Sequence, residues 1–303
     1  MVCVEKIIKS GEFDLIHAHA SKPGYLARLA AVGSGIPVIY SPHCFSFHAG
    51  VGKLQANILA ILERFAARYL TTKFMVVANG EKTLAQKYKV GSPEQFVTIY
   101  NGIDVEESTR FYQQNVLKKE LGLSEDIQLV GAVGRLNQQK GPFDFIKMVA
   151  RVHSVIPNTR FVWIGTGPLD QEARQLSKEL NLDQILYFLG QRTDVAELLR
   201  SLDCFVLPSL WEGFSIVLLE AMAAKAPIVA TDILGNNEAI RSGIDGWLVE
   251  PGNIEAMADK VISLITSPDL AISFGSSSYS RVKAEFNKKK MLESLENLYS
   301  THF

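Results

Sequence analysis

Two carboxylates lie eight positions apart in the stretch 208–220, which runs from an apolar strand through a loop into a helix. If this helix begins near Phe214, its free N–H groups and positive dipole end favour an anion such as a diphosphate. Eight helical residues at 1.5 Å each span about 12 Å, roughly the distance from ribose to sugar across a diphosphate. The spacing therefore predicts that Glu212 and Glu220 each bind one end of such a ligand, with Gly213 allowing close backbone approach.

The alternative for any such pair is a surface loop residue and a solvated helix residue. A second loop favours the ligand interpretation, because Arg135 and Lys140 lie in a glycine-bordered segment, 134–141, that follows another apolar strand. Both side chains can reach phosphate, and fixed cations neutralise charge as a diphosphate departs. An ordinary solvated loop remains the alternative for this segment taken alone.

A third loop carries the sequence Gly165-Thr166-Gly167-Pro168. Glycines there could let the chain pass close to a phosphate or a sugar, which makes Gly165 a candidate residue for binding such a group. The third glycine and the acidic residue of a dinucleotide fingerprint are missing in the required form. A nicotinamide-dependent enzyme is therefore a poor fit.

Short apolar, β-branched runs alternate with amphipathic segments from end to end, which is typical of βα units and predicts an α/β class with doubly wound parallel sheets. Ser21 is a candidate cap for the helix after the first strand, and an apolar stripe from Phe145 to Val155 predicts a helix facing the core. The predicted strands are Asp14–Ala18, Pro37–Ser41, Phe74–Ala78, Phe96–Tyr100, Gln128–Val133, Arg160–Ile164, Tyr187–Leu189, Cys204–Leu207, Pro227–Thr231 and Gly246–Val249.

A polar, charged stretch that includes Gln113 and Gln114 separates the two strand series and places a domain boundary after residue 104. We expect a partial first domain over residues 1–104, a second domain over 105–284, and a C-terminal helix over 285–303 that packs back on the first domain. Six strands match a complete doubly wound sheet with order 3-2-1-4-5-6, whereas four do not. The first domain is thus expected to be incomplete, with its first strand at an exposed edge.

Composition excludes several classes of protein. The chain has 303 residues, 47% hydrophobic and 21% charged, with 31 basic and 32 acidic residues and a net charge of −1. No basic field exists to collect nucleic acid, so a dedicated nucleic-acid binder is disfavoured. No apolar run reaches membrane-spanning length and no secretion signal is visible. Three widely spaced cysteines fit reduced thiols, which predicts a cytoplasmic location.

Several motifs, which occur in the same order along the chain, resemble those of the retaining glycosyltransferases of the GT-B fold that belong to family 4 (group 1). The resemblance covers nearly the whole chain. Its motifs are "DLIHAH" from Asp14, "SKPGYLARLAA" from Ser21, "YSPHCFSFH" from Tyr40, "ERFAARYL" from Glu63, "YNGID" from Tyr100, "VGRLNQQKG" from Val133, "IGTGP" from Ile164, "EGFSIVLLE" from Glu212 and "ATDILGNNEAI" from Ala230.

This resemblance implies two Rossmann-like domains facing a cleft and a nucleotide-diphosphate sugar as donor substrate, with no further cofactor. It implies that Glu220 binds the nucleotide ribose, that Glu212 lies beside the transferred sugar, and that Arg135 and Lys140 bind the diphosphate. The implied acceptor is a glycan or a polyprenyl-linked glycan in polysaccharide biosynthesis.

Further roles are implied for single positions. Backbone N–H groups of Gly213 and Phe214 would contact the sugar and diphosphate, and Ser215 completes this donor-binding segment. His43 resembles the histidine that reaches the donor sugar from the first domain, and Arg192 lies where the family often holds the base. Cys44 stands where relatives commonly have glycine.

Three alternatives remain open at this point. His17 and His19 alternate along a strand and could bind a metal, but no third ligand is apparent, so metal catalysis is disfavoured. The helix from Lys53 to Arg68 is amphipathic and basic, so it either packs on its own domain or contacts a membrane surface at the inner face. The chain could also be a nucleotide-sugar-binding subunit that is inactive without a preceding segment or a partner chain.

Overall fold

The computed structural model describes residues 2–8, 10–11, 13–106 and 115–301, with the backbone alone at residues 2 and 3. The chain divides into two compact units, residues 1–101 with 289–303 and residues 102–288. The division therefore falls before the predicted boundary at 104, since Ile103 N–H donates to Phe286 O at 3.0 Å and Lys288 N–H donates to Ile103 O at 2.8 Å. Gln113 and Gln114, in the polar stretch behind that prediction, lie outside the described residues.

The described part of the first unit is a four-stranded parallel sheet with its connecting helices, in the order β1-β2-β3-β4. Each strand follows its neighbour through a helix, as parallel pairs require. β1 lies at an edge, as predicted. The elements are α1 Val2–Ile8, β1 Ile16–His19, α2 Ser21–Ala30, β2 Val38–Ser41, α3 Lys53–Tyr69, β3 Lys73–Val76, α4 Asn79–Lys87, β4 Phe96–Thr98 and, near the C-terminus, α13 Lys288–Ser300.

The described part of the second unit contains a six-stranded parallel sheet in the order β10-β9-β8-β5-β6-β7. Numbered within the unit, this is the predicted doubly wound order. Its elements are α5 Val116–Glu120, β5 Gln128–Val133, α6 Pro142–Val155, β6 Thr159–Ile164, α7 Asp170–Glu179, β7 Leu186–Gly190, α8 Val195–Arg200, β8 Cys204–Leu207, α9 Ile216–Ala223, β9 Ile228–Thr231, α10 Asn236–Ala239, β10 Trp247–Val249, α11 Ile254–Ile265 and α12 Pro268–Glu285.

Every predicted strand is present, with ends that differ by at most two residues, whereas the helix α1 was not predicted. The apolar stripe on α6 is buried at Phe145, Met148, Val149 and Val152. Val155 is 57% exposed, so its prediction as a core residue is wrong. It is the last residue of the helix, where Ile156 packs against the core instead.

The predicted capping role of Ser21 is wrong. Ser21 is already the first helical residue, and Ala20 occupies the capping position at φ 59° without a side-chain hydrogen bond. The Ser21 hydroxyl instead accepts a hydrogen bond from Ser46 Oγ at 2.6 Å. Pro23 falls in the first turn, where its missing N–H has no helical acceptor to lose.

A buried ion pair connects α2 to α3. Arg28 is 1% exposed, and both ends of its guanidinium bind the Glu63 carboxylate. The same group donates to Gly24 O at 3.2 Å and Thr71 Oγ1 at 3.2 Å, and it lies 3.9 Å from the centre of the Tyr40 ring. These contacts satisfy the buried charge and fix which face of α3 points inward.

We expect Glu63→Gln to lower the free energy of unfolding by about 3–5 kcal/mol, because it leaves the Arg28 guanidinium buried without a counter-charge. Urea unfolding followed by circular dichroism measures the loss. The matched control is Glu255→Gln, which breaks an exposed pair with Arg151 and should cost less than about 1 kcal/mol. Equal losses for the two variants would contradict the role of the buried pair.

Candidate active site

The loops that follow β5 and β8 lie side by side where the strand order of the second sheet reverses. Leu210 N–H donates to Gln139 O at 2.7 Å, and Gln139 Nε2 donates to Trp211 O at 3.1 Å. Open α/β sheets bind ligands in the crevice beyond the carboxyl ends of their strands, at such a reversal. The predicted Arg135–Lys140 and Glu212–Glu220 segments therefore meet at the position where this fold places a ligand.

Glu212 is buried between these two loops, so it is not a surface loop residue. Its Oε1 accepts hydrogen bonds from Lys140 Nζ at 2.5 Å and Ser209 Oγ at 2.7 Å, and its Oε2 accepts from Gln139 Nε2 at 3.3 Å. Ser209 is itself held by Thr231 Oγ1, which donates to Ser209 O at 2.6 Å. The structure thus brings two of the predicted site residues, Lys140 and Glu212, into direct contact.

The two predicted phosphate-binding cations differ in their surroundings. Lys140 is the last residue of a short 3₁₀ turn, Gln138–Lys140, in which its backbone N–H donates to Asn137 Oδ1 at 3.1 Å, and its side chain is 18% exposed. Arg135 is exposed in the same loop and forms no ion pair with any described residue. One cation is thus fixed against a carboxylate, while the other is available to an incoming anion.

Helix α9 begins at Ile216, two residues later than predicted. Glu212 therefore lies in the preceding loop, and the separation of about 12 Å derived for a continuous helix does not apply. Ser215 occupies the capping position without a side-chain cap, and its buried Oγ has no hydrogen-bond partner among the described residues. A buried hydroxyl beside the unpaired N–H groups of a first turn is suited to a bound polar ligand.

Gly213 and Phe214 lead into this helix and are both buried. The Gly213 N–H donates to no acceptor among the described residues. The Phe214 ring packs on Phe286, with ring centres 5.2 Å apart. This packing holds the loop backbone in place.

Glu220 lies one turn into α9 and is half-buried rather than fully solvated. No hydrogen bond or ion pair joins its carboxylate to any residue that the structure describes. Burial raises the pKa of this carboxyl group. A partly desolvated carboxylate without a protein partner is a binding site for hydroxyl donors.

The glycines of the third loop approach protein rather than open space. A Cβ at Gly165, where φ is 131°, would lie 2.2 Å from Gly134 O, and one at Gly167 would lie 2.3 Å from Leu136 O. Both positions need glycine because the β6–α7 loop packs on the backbone of the β5–α6 loop. Close packing of two loops therefore explains these residues without a ligand.

Arg192 is held by two carboxylates within the second unit. Its guanidinium donates to both oxygens of Glu120, at 2.6 and 3.0 Å, and to both oxygens of Asp194, at 2.9 and 2.7 Å. These hydrogen bonds lower the pKa of Asp194 and of Glu120. The side chain connects the end of α5 to the loop after β7, and its predicted contact with a base stays a prediction.

The first unit contains a separate cluster of three histidines at the ends of β1 and β2. His17 Nδ1 lies 2.6 Å from Tyr299 Oη and its Nε2 lies 2.8 Å from Ser41 Oγ. His19 Nδ1 lies 2.9 Å from His43 Nε2, and the rings of His17 and His19 have centres 4.1 Å apart. The predicted donor-contacting residue His43 is thus part of a chain of imidazoles that reaches α13.

Burial lowers the pKa of all three histidines, to about 4 for His17, where charge repulsion from His19 and His43 adds to the effect. The imidazoles are therefore neutral at pH 7. Each neutral ring has one donor and one acceptor nitrogen, so the hydrogen bond between His19 and His43 fixes complementary tautomers in the two rings.

The backbone around the cluster adopts conformations that L-residues rarely use. Ala20 has φ 59°, His43 has φ 54° and Cys44 has φ 126°. Such positions cost about 1–3 kcal/mol each and persist where the surrounding structure enforces them. Cys44 therefore keeps a glycine-like backbone without being glycine.

The described residues contain no group of three or more His, Cys, Asp or Glu side chains placed to hold a metal ion. His17 and His19 do face one side of the strand, but both nitrogens of His17 already contact Tyr299 and Ser41. Among the helices of the described ranges, none combines the length and the apolar character that a bilayer crossing requires.

Sequence reasoning missed the residues that support the Lys140–Glu212 pair and the histidine cluster. Ser209 could have been found, because it is three residues before Glu212 in the same loop. Gln139 is next to Lys140 and carried a weaker signal. Tyr299 was out of reach, because 282 residues separate it from His17.

Two family models match the chain. The model described as "Glycosyl transferases group 1" matches residues 113–281, and the one described as "Glycosyltransferase Family 4" matches residues 2–107. Together they cover nearly the whole sequence.

The chain is 31% identical to UDP-Gal:alpha-D-GlcNAc-diphosphoundecaprenol alpha-1,3-galactosyltransferase of Escherichia coli, covering 99% of this chain and 78% of that protein. It is 27% identical to N-acetyl-alpha-D-glucosaminyl L-malate synthase of Bacillus anthracis, with 97% and 76% covered. Among solved structures, HepE of Anabaena in complex with UDP-glucose has a TM-score of 0.88 at 22% identity, with 98% of this chain and 82% of that chain covered.

We expect the histidine cluster to make the first unit less stable in acid. The pKa of His17 is about 4 in the folded protein and about 6.5 in the unfolded chain, so the unfolded chain binds more protons between these values and stability falls as pH decreases. His17→Gln removes this contribution, which reaches about 2 kcal/mol at pH 5.

Thermal unfolding from pH 7.5 down to pH 4.5 measures the effect. The loss of stability in acid should be smaller for His17→Gln than for the unchanged protein. Tyr299→Phe is the control, because it removes the hydroxyl but keeps the titrating ring and should retain most of the pH dependence. Parallel curves for the unchanged protein and His17→Gln would refute the assignment.

Proposed function

This chain belongs to the group 1, family 4 glycosyltransferases of the GT-B fold, and we propose that it transfers a sugar from a nucleotide diphosphate to a glycan or lipid-linked acceptor. The observation that carries the proposal is the arrangement around the first turn of α9. A buried Glu212–Lys140 pair lies on one side, and the half-buried Glu220 lies within the helix. Relatives named for nucleotide-sugar donors and for lipid-linked acceptors support this reaction class.

In the proposed donor complex, the Glu220 carboxylate accepts hydrogen bonds from the ribose hydroxyls. These donors replace the water that burial removes and compensate the desolvation of the carboxylate. The diphosphate lies at the first turn of α9, where unpaired N–H groups and Ser215 Oγ can donate to its oxygens.

Lys140 and Arg135 stabilise the departing charge in this scheme. One of the three Lys140 ammonium protons is committed to Glu212, which leaves two for phosphate oxygens. Glu212 already accepts three hydrogen bonds, which hold its carboxylate in one orientation, and it can accept a further hydrogen bond from the transferred sugar. Charge neutralisation by fixed cations takes the part that a metal ion has elsewhere, so we propose a metal-independent reaction.

We propose retention of configuration through attack on the face that the leaving group vacates. The bond between the anomeric carbon and the diphosphate oxygen breaks, and the acceptor oxygen bonds to the same carbon. The acceptor proton passes to the departing diphosphate, so no protein nucleophile is needed. His43 would contact the sugar through Nδ1, since its Nε2 is engaged by His19.

The nucleotide base, the sugar and the acceptor are the finer parts of this proposal. A hexose as the transferred group and a polyprenyl-linked acceptor agree with the name of the galactosyltransferase relative. A location at the cytoplasmic face of a membrane is a further part of the proposal. Arg192 remains a candidate for contact with the base only if a ligand displaces Glu120 or Asp194.

The proposal is tested by incubating the purified chain with a panel of nucleotide sugars and a polyprenyl-diphosphate glycan. Transfer with a retained anomeric centre, read by NMR, is the expected result. Binding of donors without transfer or hydrolysis would instead assign a nucleotide-sugar-binding subunit. No thermal shift with any donor would refute both functions.

We expect Glu220→Gln to weaken the affinity for the preferred nucleoside diphosphate by about 10-fold to 100-fold, because charge-assisted hydrogen bonds to ribose become neutral ones. Isothermal titration calorimetry measures the change. Glu172→Gln, on the exposed surface of α7, is the control and should leave the affinity unchanged. An unaltered affinity in Glu220→Gln would remove the ribose assignment.

We expect Lys140→Met to lower kcat/KM by about 100-fold to 1000-fold, since a cation facing the developing diphosphate charge is lost. The effect should lie mainly in kcat and should shrink for donors with better leaving groups. Lys147→Met, at an exposed position of α6, is the matched control. A change in KM alone would show that Lys140 binds the ground state and the transition state equally, which would contradict a role in stabilising the departing charge.

A further inference from the structure

Helix α3 carries its large apolar side chains on the outside of the first unit. Leu54 is 77% exposed and Phe65 is 53% exposed. At 100° per residue, the exposed apolar positions fall within an arc of about 100° that continues along four turns. The α3 outer face consists of Leu54, Ile58, Ile61, Leu62, Phe65 and Tyr69.

The opposite face of α3 is built from small residues. Ala56, Ala60, Ala66 and Ala67 are buried against the first unit. The helix therefore does pack on its own domain, as one alternative predicted, but it does so mainly through alanines, with the partly buried Leu59 beside them. Burying small residues while exposing large ones is the reverse of the usual amphipathic pattern, and contiguous apolar patches of this kind mark interaction sites.

Charge on α3 indicates the nature of the partner. Lys53, Arg64 and Arg68 are all exposed, on one flank of the outer face. The only acidic residue of the helix is Glu63, which points inward to Arg28. The helix surface is thus positive although the whole chain has a net charge of −1.

A hollow of about 510 Å³ adjoins the C-terminal half of the helix. Arg64, Arg68 and Lys89 contribute cations to its wall, and Ser92 and Gln95 contribute polar groups. Arg64 Nε donates to Tyr88 O at 2.7 Å, which fixes this guanidinium at the rim. The three cations of this wall are suited to bind a phosphate group.

We propose that the α3 outer face docks on an anionic phospholipid surface, with lipid phosphates in the adjoining hollow. Large apolar side chains beside arginine and lysine are the composition of a helix that lies in a membrane interface. A second copy of the chain fits less well, because the outer face of α3 offers no acidic residue that could pair with the cations of another copy. The inference extends the proposed function by placing the enzyme where a lipid-linked acceptor lies.

The apolar part of the proposal is tested by sedimentation with phosphatidylcholine vesicles that contain phosphatidylglycerol. We expect Ile61→Ser with Phe65→Ser to lower the partition coefficient at least about tenfold. The matched control is Ile272→Ser, which removes an apolar side chain that is 68% exposed on α12 and should leave binding unchanged. Equal vesicle binding in the double variant and the unchanged protein would refute the proposal.

The electrostatic part is tested with Lys53→Gln and Arg68→Gln together. Each lost cation should weaken binding to the anionic vesicles about fivefold, and the binding that remains should depend less on salt than that of the unchanged protein. The weak binding to pure phosphatidylcholine should not change. Lys288→Gln with Lys289→Gln, both exposed on α13, is the control of equal charge. A comparable loss in this control would show a non-specific charge effect and overturn the proposal.

Two further measurements separate this inference from others. Light scattering of the purified chain detects a dimer, and a dimer abolished by Ile61→Ser with Phe65→Ser would assign the face to a second copy instead. Calorimetry with nucleoside diphosphates should give the same affinity in all surface variants. Vesicle binding without nucleotide binding would leave docking intact and refute the proposed reaction, whereas nucleotide binding without vesicle binding would do the reverse.

Discussion

The contact between Lys140 and Glu212 organises the second unit. An ion pair this buried is costly to desolvate, and it is stable only if the remaining hydrogen-bonding capacity of both groups is satisfied. Ser209 and Gln139 satisfy the carboxylate, and Thr231 holds Ser209. Because these residues come from the ends of β5, β8 and β9, one charge pair determines how three loops meet. The site is therefore assembled before a ligand arrives, as electrostatic preorganisation requires.

The polar clusters of the two units differ in their charge: the second unit contains a charged pair, whereas the first contains neutral imidazoles. In the second unit, Lys140 is paired with Glu212, whereas the Glu220 carboxylate within α9 has no partner among the residues that the structure describes. In the first unit, three imidazoles are kept neutral by burial and mutual repulsion, so that they act as hydrogen-bonding groups rather than charges. The positive φ angles at His43 and Cys44 are part of that arrangement, since they turn the backbone after β2 and bring the His43 ring to His19.

The Arg28–Glu63 pair connects the fold to the proposed membrane surface. By holding the only acidic residue of α3 inside the unit, it leaves the outer face with positive charge alone. The alanines on the inner face give little volume to the core, so aromatic residues of the sheet and the following loop, among them Tyr40, Phe45 and Phe74, fill that space. The large residues of the helix are then available for a partner, which is consistent with selection for binding rather than for packing.

The sequence alone determined the class of fold and the strands, and it predicted the segments that we propose for the site. Local patterns suffice for these features, because strand periodicity, turn residues and βα alternation act over short distances. It did not determine that Gly165 and Gly167 face a neighbouring loop, or that the Arg192 guanidinium donates hydrogen bonds to Glu120. Tertiary structure alone decided that Glu212 is buried, that Tyr299 meets His17, and that α3 turns its large residues outward. Each of these depends on which distant surface occupies the space beside a residue, and no local pattern encodes that.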